Sequence, residues 1–330
     1  MSTTLTRPRP SLLGPARVAV RQHRWTLRIA GGLALLTLLG LIALSLRSSH
    51  VTEVFAASGC RTDGADGNRE CMQVARNYVV TMFTYRRGFD NVALVLMALP
   101  VLLSGFVGGP LIARELESGT YKLSWTQSVT PARWLAAKLV VPATLVLAGA
   151  AILAAVLHWA RSGQDLPYPV EWYAMYVFTT TGTVLAGHIL FGLCAGALIG
   201  ILVRRTLLAL VLSVLVAGAV GVAFADLRGR LWPPSTVTGT NLDIHENIWW
   251  VETGHLTGDG ERLSQETCAQ SVSETDTARC FADHDITGHY LDYHPASHFW
   301  PLQLVETGIL LALAALALAL AFRVLRRRTA

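Results

Sequence analysis

Charge is what this 330-residue chain has least of: 15% of its residues are Asp, Glu, Lys or Arg against 52% hydrophobic, with mean hydropathy +0.43. Soluble domains carry nearer a quarter charged residues, so a water-facing globule of this size lacks the polar residues to cover itself. Disorder, collagen and coiled coil fall on the same ground. Lysine is almost absent, with only Lys122 and Lys138 among 27 basic residues. Neither follows a glycine and no G-x-x-x-x-G-K-[ST] occurs, so the phosphate-cradling loop of an ATPase is missing. There is no N-x-[ST] glycosylation acceptor, and none of the five cysteines stands in a C-x-x-C pair, the usual thiolate metal framework.

What the chain has instead is apolar length. A helix crossing a hydrocarbon core of about 30 Å needs roughly 20 mainly apolar residues. Six stretches meet or approach this: residues 29–46, 91–112, 139–160, 174–203, 206–225 and 299–322. The fourth is too long to cross straight, so it must tilt, kink or project. Only Arg204 and Arg205 separate it from the fifth, which predicts a tight hairpin. The first stretch exceeds the apolar core of a signal peptide and lacks a small-x-small cleavage site, so it reads as a retained helix. Pro100, Pro110 and Pro142 are candidate kinks.

Lys and Arg set orientation. With the N-terminus inside, the cytoplasmic segments hold 16 of the 27 basic residues and only Glu115 and Glu117 of the 22 acidic ones, a balance of +14. The exterior is net acidic, so the overall +5 needs no nucleic-acid partner. Both termini are expected in the cytoplasm of a bacterial cell, with the chain multi-pass in the plasma membrane. Cys60 and Cys71 then share the first outside loop, and Cys268 and Cys280 the last. Local pairs in an oxidising compartment predict two disulfides, Cys60–Cys71 and Cys268–Cys280. Each would contribute roughly 3 kcal/mol in the chain-entropy view.

The expected fold is an all-α polytopic membrane protein with an N-terminal amphipathic interfacial helix. The expected divisions are a leader over 1–28, five spans over 29–225 and an extracytoplasmic domain over 226–298. The sixth span (299–322) and a tail (323–330) complete it. Within 29–225, residues 47–90 form the outside loop and 113–138 the cytoplasmic segment. In the leader, Arg17, Arg21, Arg24 and Arg28 fall on one helical stripe opposite Leu12, Ala16, Val20 and Leu27. That pattern suits a helix lying in the headgroup region, and equally one docking on a cytoplasmic partner.

Residues 113–138 are the most informative segment. The second span continues through Glu117, with Gly119 placed as a stop. Thr130-Pro131 has the form of an N-cap followed by proline at the first helical position. Between them a short element displays Thr120, Tyr121, Lys122, Trp125 and Gln127. The run R-E-x-E-x-G-T from Arg114, L-x-x-T-Q-S-V from Leu123 and R-W-L-x-x-K from Arg133 resembles the stretch entering the coupling helix in permease subunits of type-2 ATP-binding-cassette (ABC) exporters. Pro295, Phe299, Trp300, Gln303 and Glu306 follow the P-x-x-x-F-W-x-x-Q-x-x-E pattern before and within the final helix of such permeases. The resemblance implies a half-transporter without an ATPase site. A second permease copy, identical or not, completes it, and a separate ABC ATPase carries the ATP and Mg. The coupling residues it implies are Arg114, Glu115, Glu117, Gly119, Thr120, Tyr121, Lys122, Trp125 and Gln127. The substrate is expected to be lipophilic or amphipathic and exported, since no span carries a polar stripe.

Within the spans, Gly192, Gly196 and Gly200 recur every four residues and form a seam where another helix, from this bundle or a second subunit, can approach. His188 stands one turn before it. Glu306 lies about two turns into the last span, as a pathway residue or a structural partner of polar groups outside, and no charged partner within the spans is evident. Asp283, His284, Asp285, His289, Asp292, His294 and His298 cluster in the last loop without the spacing of a recognised zinc site, and read as a solvated polar loop. Two other classes remain: a membrane enzyme with a histidine-rich outer metal site, and a carrier driven by an ion gradient through Glu306 and His188.

Overall fold

A computed structural model describes residues 24–62, 68–122, 130–162, 170–240, 242, 247–270 and 273–329. Arg17 and Arg21 of the leader stripe, and Trp125 and Gln127, lie outside these residues. The protein is predominantly helical, and among the described residues six helical stretches are long and apolar enough to cross a membrane.

α1 (Arg24–Ala57) and α2 (Arg69–Leu103) both run well past their apolar cores. The 47–90 stretch, expected as a loop, is largely their helical continuation. In this part of α1 the Ser48, Ser49 and Thr52 hydroxyls turn back on the helix and donate to carbonyls one turn earlier at 2.9–3.1 Å. Asn68 starts α2 as an N-cap, accepting from the Glu70 amide at 3.0 Å. The Cys60–Cys71 disulfide, with Cα atoms 5.3 Å apart, and the stacked Phe55 and Tyr78 rings join the two tips.

α2 passes through a π-helical turn (Ser104–Gly108) into α3 (Gly109–Ser118), which Gly119 ends at φ +73°. α4 (Pro131–Ser162) follows, its first turn closed by Trp134 N–H donating to the Thr130 carbonyl at 3.0 Å. The long fourth stretch is broken into α5 (Met175–Thr181) and α6 (Val184–Val203). Arg204 in the left-handed region (φ 56°) then turns the chain into α7 (Thr206–Leu227). α6 is buried nearly all round, whereas α1, α4 and α7 expose leucine, isoleucine and valine on their outer faces, as helices solvated by lipid do.

Residues 226–298 depart from the all-α expectation. They form a four-stranded antiparallel sheet in the order β1-β4-β2-β3, from β1 (Ser235–Gly239), β2 (Trp249–Thr257), β3 (Arg262–Ser264) and β4 (Ile286–His294). One short helix, α8 (Glu274–Asp283), precedes β4 and is tied back by Cys268–Cys280. Val, Thr, Tyr and Trp in these strands suit a half-buried pleated surface. β4 leads into the last span, α9 (Phe299–Thr329). An aromatic cluster of Trp172, Tyr173, Trp249, Phe299 and Phe178 seats the sheet on the bundle, with ring centroids 5.5–6.1 Å apart.

Candidate functional site

Beneath the sheet, α9 meets the break between α5 and α6. Breaking a helix orphans carbonyls on one side and amides on the other, which is costly away from water. Gln303, fully buried, satisfies both sides: its amide nitrogen donates to the Phe178 carbonyl at 2.6 Å, and its amide oxygen accepts from the Val184 N–H at 3.1 Å. Gly182 makes room, because a Cβ there would stand 2.3 Å from the Gln303 side chain.

One turn further along α9, Glu306 is fully buried and held by Arg228, itself 4% exposed, at the C-terminal end of α7. The pairing is bidentate, Nε to Oε2 at 2.8 Å and Nη2 to Oε1 at 3.0 Å. His188 Nε2 lies 3.4 Å from Oε1, Arg228 also reaches the Thr179 hydroxyl at 3.4 Å, and its guanidinium sits 4.2 Å from the Phe178 ring centroid. One cluster thus ties α5, α6, α7 and α9. Of the two sequence readings of Glu306, pathway residue or structural partner of polar groups outside, the pairing fits the second: Arg228 follows the fifth span directly, in the outside segment. It folds back under the sheet because His294 of β4 contacts the Gly229 carbonyl at 3.0 Å. His294 is sealed by this packing, and burial and the neighbouring His298 hold its pKa below the ordinary histidine value despite the Gly229 contact.

His188 points to Glu306 and edge-on to Phe224, while the glycine seam meets a different partner. Added Cβ atoms at Gly192, Gly196 and Gly200 would meet Pro100 O at 2.9 Å, Gly109 N at 2.8 Å and Gly109 O at 2.6 Å. α6 therefore crosses the second span backbone against backbone at the π-helical turn. Ser104 marks the crossing, its hydroxyl 2.8 Å from the Gly192 carbonyl and 3.2 Å from that of Ser213.

At the opposite end, the two acidic residues before Gly119 are both engaged. Glu115 accepts from the Trp134 indole N–H at 2.9 Å and pairs with Lys138, clamping α3 to α4. Glu117 accepts from the Thr206 N–H at 2.8 Å, a carboxylate at the start of α7. Arg328 of α9 caps the end of α6 by donating to the Ile201 carbonyl at 2.6 Å. Arg114, Thr120 and Lys122 are exposed, while Tyr121 packs against a buried cluster that includes Ile112, Trp134, Leu135, Ile201 and Leu325. Arg24 and Arg28 are exposed at the start of α1, Arg28 lying 5.3 Å over the Trp25 ring. Cys268, Cys280 and His284 form the one group of three potential metal donors close together among the described residues, but the two sulfurs are bonded to each other.

Six apolar helices among the described residues, with α6 crossing the second span backbone against backbone and a small sheet at one end, make the frame of a polytopic membrane protein. A family profile described as ABC-2 membrane transporter related matches residues 30–228, and the chain belongs to that family as an ABC-2 type permease. Neither a curated protein nor a solved structure matches the chain. The matched stretch includes His188, the glycine seam and Arg228, and stops before the sheet, Gln303 and Glu306.

Proposed function

We propose that the chain is the membrane-spanning half of an ABC exporter, driven by ATP and Mg bound to a separate ATPase subunit. Family membership over residues 30–228 carries this reading. The segment from Arg114 to Lys138 is its coupling element, with Gly119, Thr120, Tyr121, Lys122, Trp125 and Gln127 presented to the ATPase. The Glu115–Lys138 and Glu115–Trp134 contacts support it, because they join the segment to two spans at once and so transmit a push into the bundle.

The positive balance of the leader, the 113–138 segment, the 204–205 turn and the tail supports an orientation with this end in the cytoplasm of a bacterium. The sheet and both disulfides then face the exterior. The arginine-striped leader lies along the inner headgroups, and a second permease copy completes the pathway. The substrate is lipophilic or amphipathic. The buried Arg228–Glu306 pair does not favour a carrier driven by ions: it lies at the sheet end of the spans and is saturated by its own contacts.

The test is co-purification of the chain with an ABC ATPase, followed by reconstitution into liposomes and measurement of ATP hydrolysis with candidate amphipathic substrates. Expected are a stable complex and substrate-stimulated turnover, with Tyr121→Ala and Lys122→Ala lowering stimulation while the complex persists. A chain that recovers no ATPase under mild extraction would overturn the proposal.

A further inference from the structure

His255 of β2 and His289 of β4 are directly opposite each other in the antiparallel register, so their side chains leave the same face of the sheet. Their Nδ1 atoms are 3.1 Å apart and their ring centroids 5.0 Å. Two imidazole nitrogens that each bind a metal at about 2.0–2.1 Å stand close to this far apart across the ion, so the rings need little movement to chelate one. The surroundings fit that task.

The Phe281 ring packs against both, 5.0 Å from His255 and 6.1 Å from His289, and fixes their planes. His255 is buried and His289 half-buried, so the second ring offers the way in.

We propose that His255 and His289 form a binding site for a late first-row divalent cation such as Zn2+ or Cu2+, on a strand pair that continues into the last span. With two protein nitrogens, the remaining coordination positions fall to water or to a small ligand from outside. A plain hydrogen bond between the rings, one Nδ1–H donating to the other Nδ1, is the competing arrangement.

The experiment uses the full chain in detergent with both disulfides intact. Zn2+ affinity is measured by competition with a chromophoric chelator, and Cu2+ is added for electron paramagnetic resonance. Expected are one Zn2+ per chain, weakened at least about tenfold by either His255→Ala or His289→Ala, and a Cu2+ spectrum with coupling to two nitrogens. His289→Asp, which keeps a ligand, should recover part of the affinity, and His284→Ala should leave it unchanged. The Cu2+ spectrum of the unsubstituted protein decides the matter even where a variant misfolds. A signal with oxygen ligands alone, or Zn2+ binding no tighter than in the doubly substituted chain, overturns the site in favour of the hydrogen bond. Neither readout involves an ATPase, so the site stands or falls apart from the transport reading.

Discussion

Arg228 holds Glu306 through two nitrogens at 2.8 and 3.0 Å, in a pocket that leaves the carboxylate no solvent. Removing one member of such a pair strands the other charge, at a cost of about 3–5 kcal/mol, whereas replacing both by apolar groups of similar volume is often neutral. The pairing favours a structural role for Glu306 over a place on the pathway. Glu306→Gln and Arg228→Met should each lower the yield of folded protein and its melting temperature, and Arg228→Met/Glu306→Met should recover much of the loss. Additive losses in a thermal double-mutant cycle would mean that the two groups do not act as a pair.

The glycine seam makes a sharper test because neighbouring glycines differ. A methyl at Gly196 would stand 2.8 Å from Gly109 N and 2.9 Å from Gly108 Cα, backbone atoms that cannot rotate away. Gly196→Ala should therefore destabilise by about 1–3 kcal/mol, the range for overpacking. Gly221→Ala on α7 meets nothing within 4 Å and should be neutral or slightly stabilising. Thermal unfolding in detergent compares them, and equal melting temperatures would contradict the close crossing.

Much of the bundle was legible in sequence because a span needs little more than apolar length. What lay hidden depended on distant partners. Gln303 stands in a motif, but its role needs Phe178 and Val184, 125 and 119 residues away. Arg228 was counted with the loop charges, since nothing local shows that it turns under the sheet. The strands are short and rich in Thr, Gly and His, and their alternation competes with a polar-loop reading; Pro233, Pro234 and the Thr–Val alternation from Ser235 to Gly239 were the available signal. His255 gained meaning only from register, which sets it against His289.

Acid should loosen the sheet before the spans. His255 and His294 both titrate below their ordinary value, chiefly through burial. A base with a depressed folded pKa leaves stability complete above the unfolded value of about 6.5 and loses it as pH falls through the folded value, because the unfolded chain takes up the proton first. Hydrogen exchange of β2 and β4 at pH 7.5 and pH 5 should show faster opening at the lower pH, with α6 unchanged. His294→Gln should reduce that contrast near Gly229, and an undiminished contrast would remove His294 from the account.

The clamp at the opposite end predicts separation of coupling from folding. Lys138→Met leaves Glu115 with the Trp134 indole as its remaining partner. The pair is only partly buried, so the stability loss should stay near or below about 1 kcal/mol. If the segment transmits ATPase closure, substrate-stimulated hydrolysis should fall severalfold while complex formation persists. Unchanged stimulation would show that the α3–α4 contact carries no part of the signal.

Gln303 and Gly182 form the last testable pair. Gln303→Leu leaves the Phe178 carbonyl and the Val184 amide unpaired at the break, each costing about 1–3 kcal/mol where water is excluded. Gln303→Glu keeps an acceptor for Val184 but loses the donor to Phe178, so it should fall between the parent and Leu. Gly182→Ala reaches the same end by another route, since its methyl would stand 2.3 Å from the Gln303 amide oxygen and push the side chain out. If displacement is the whole effect, Gly182→Ala should cost far less in a Gln303→Ala background, where nothing remains to displace. The readout is thermal stability together with hydrogen exchange at Val184, whose amide should open in every variant that loses the Gln303 acceptor. A Gly182→Ala cost that is the same with and without Gln303 would locate the damage in the backbone of the break itself.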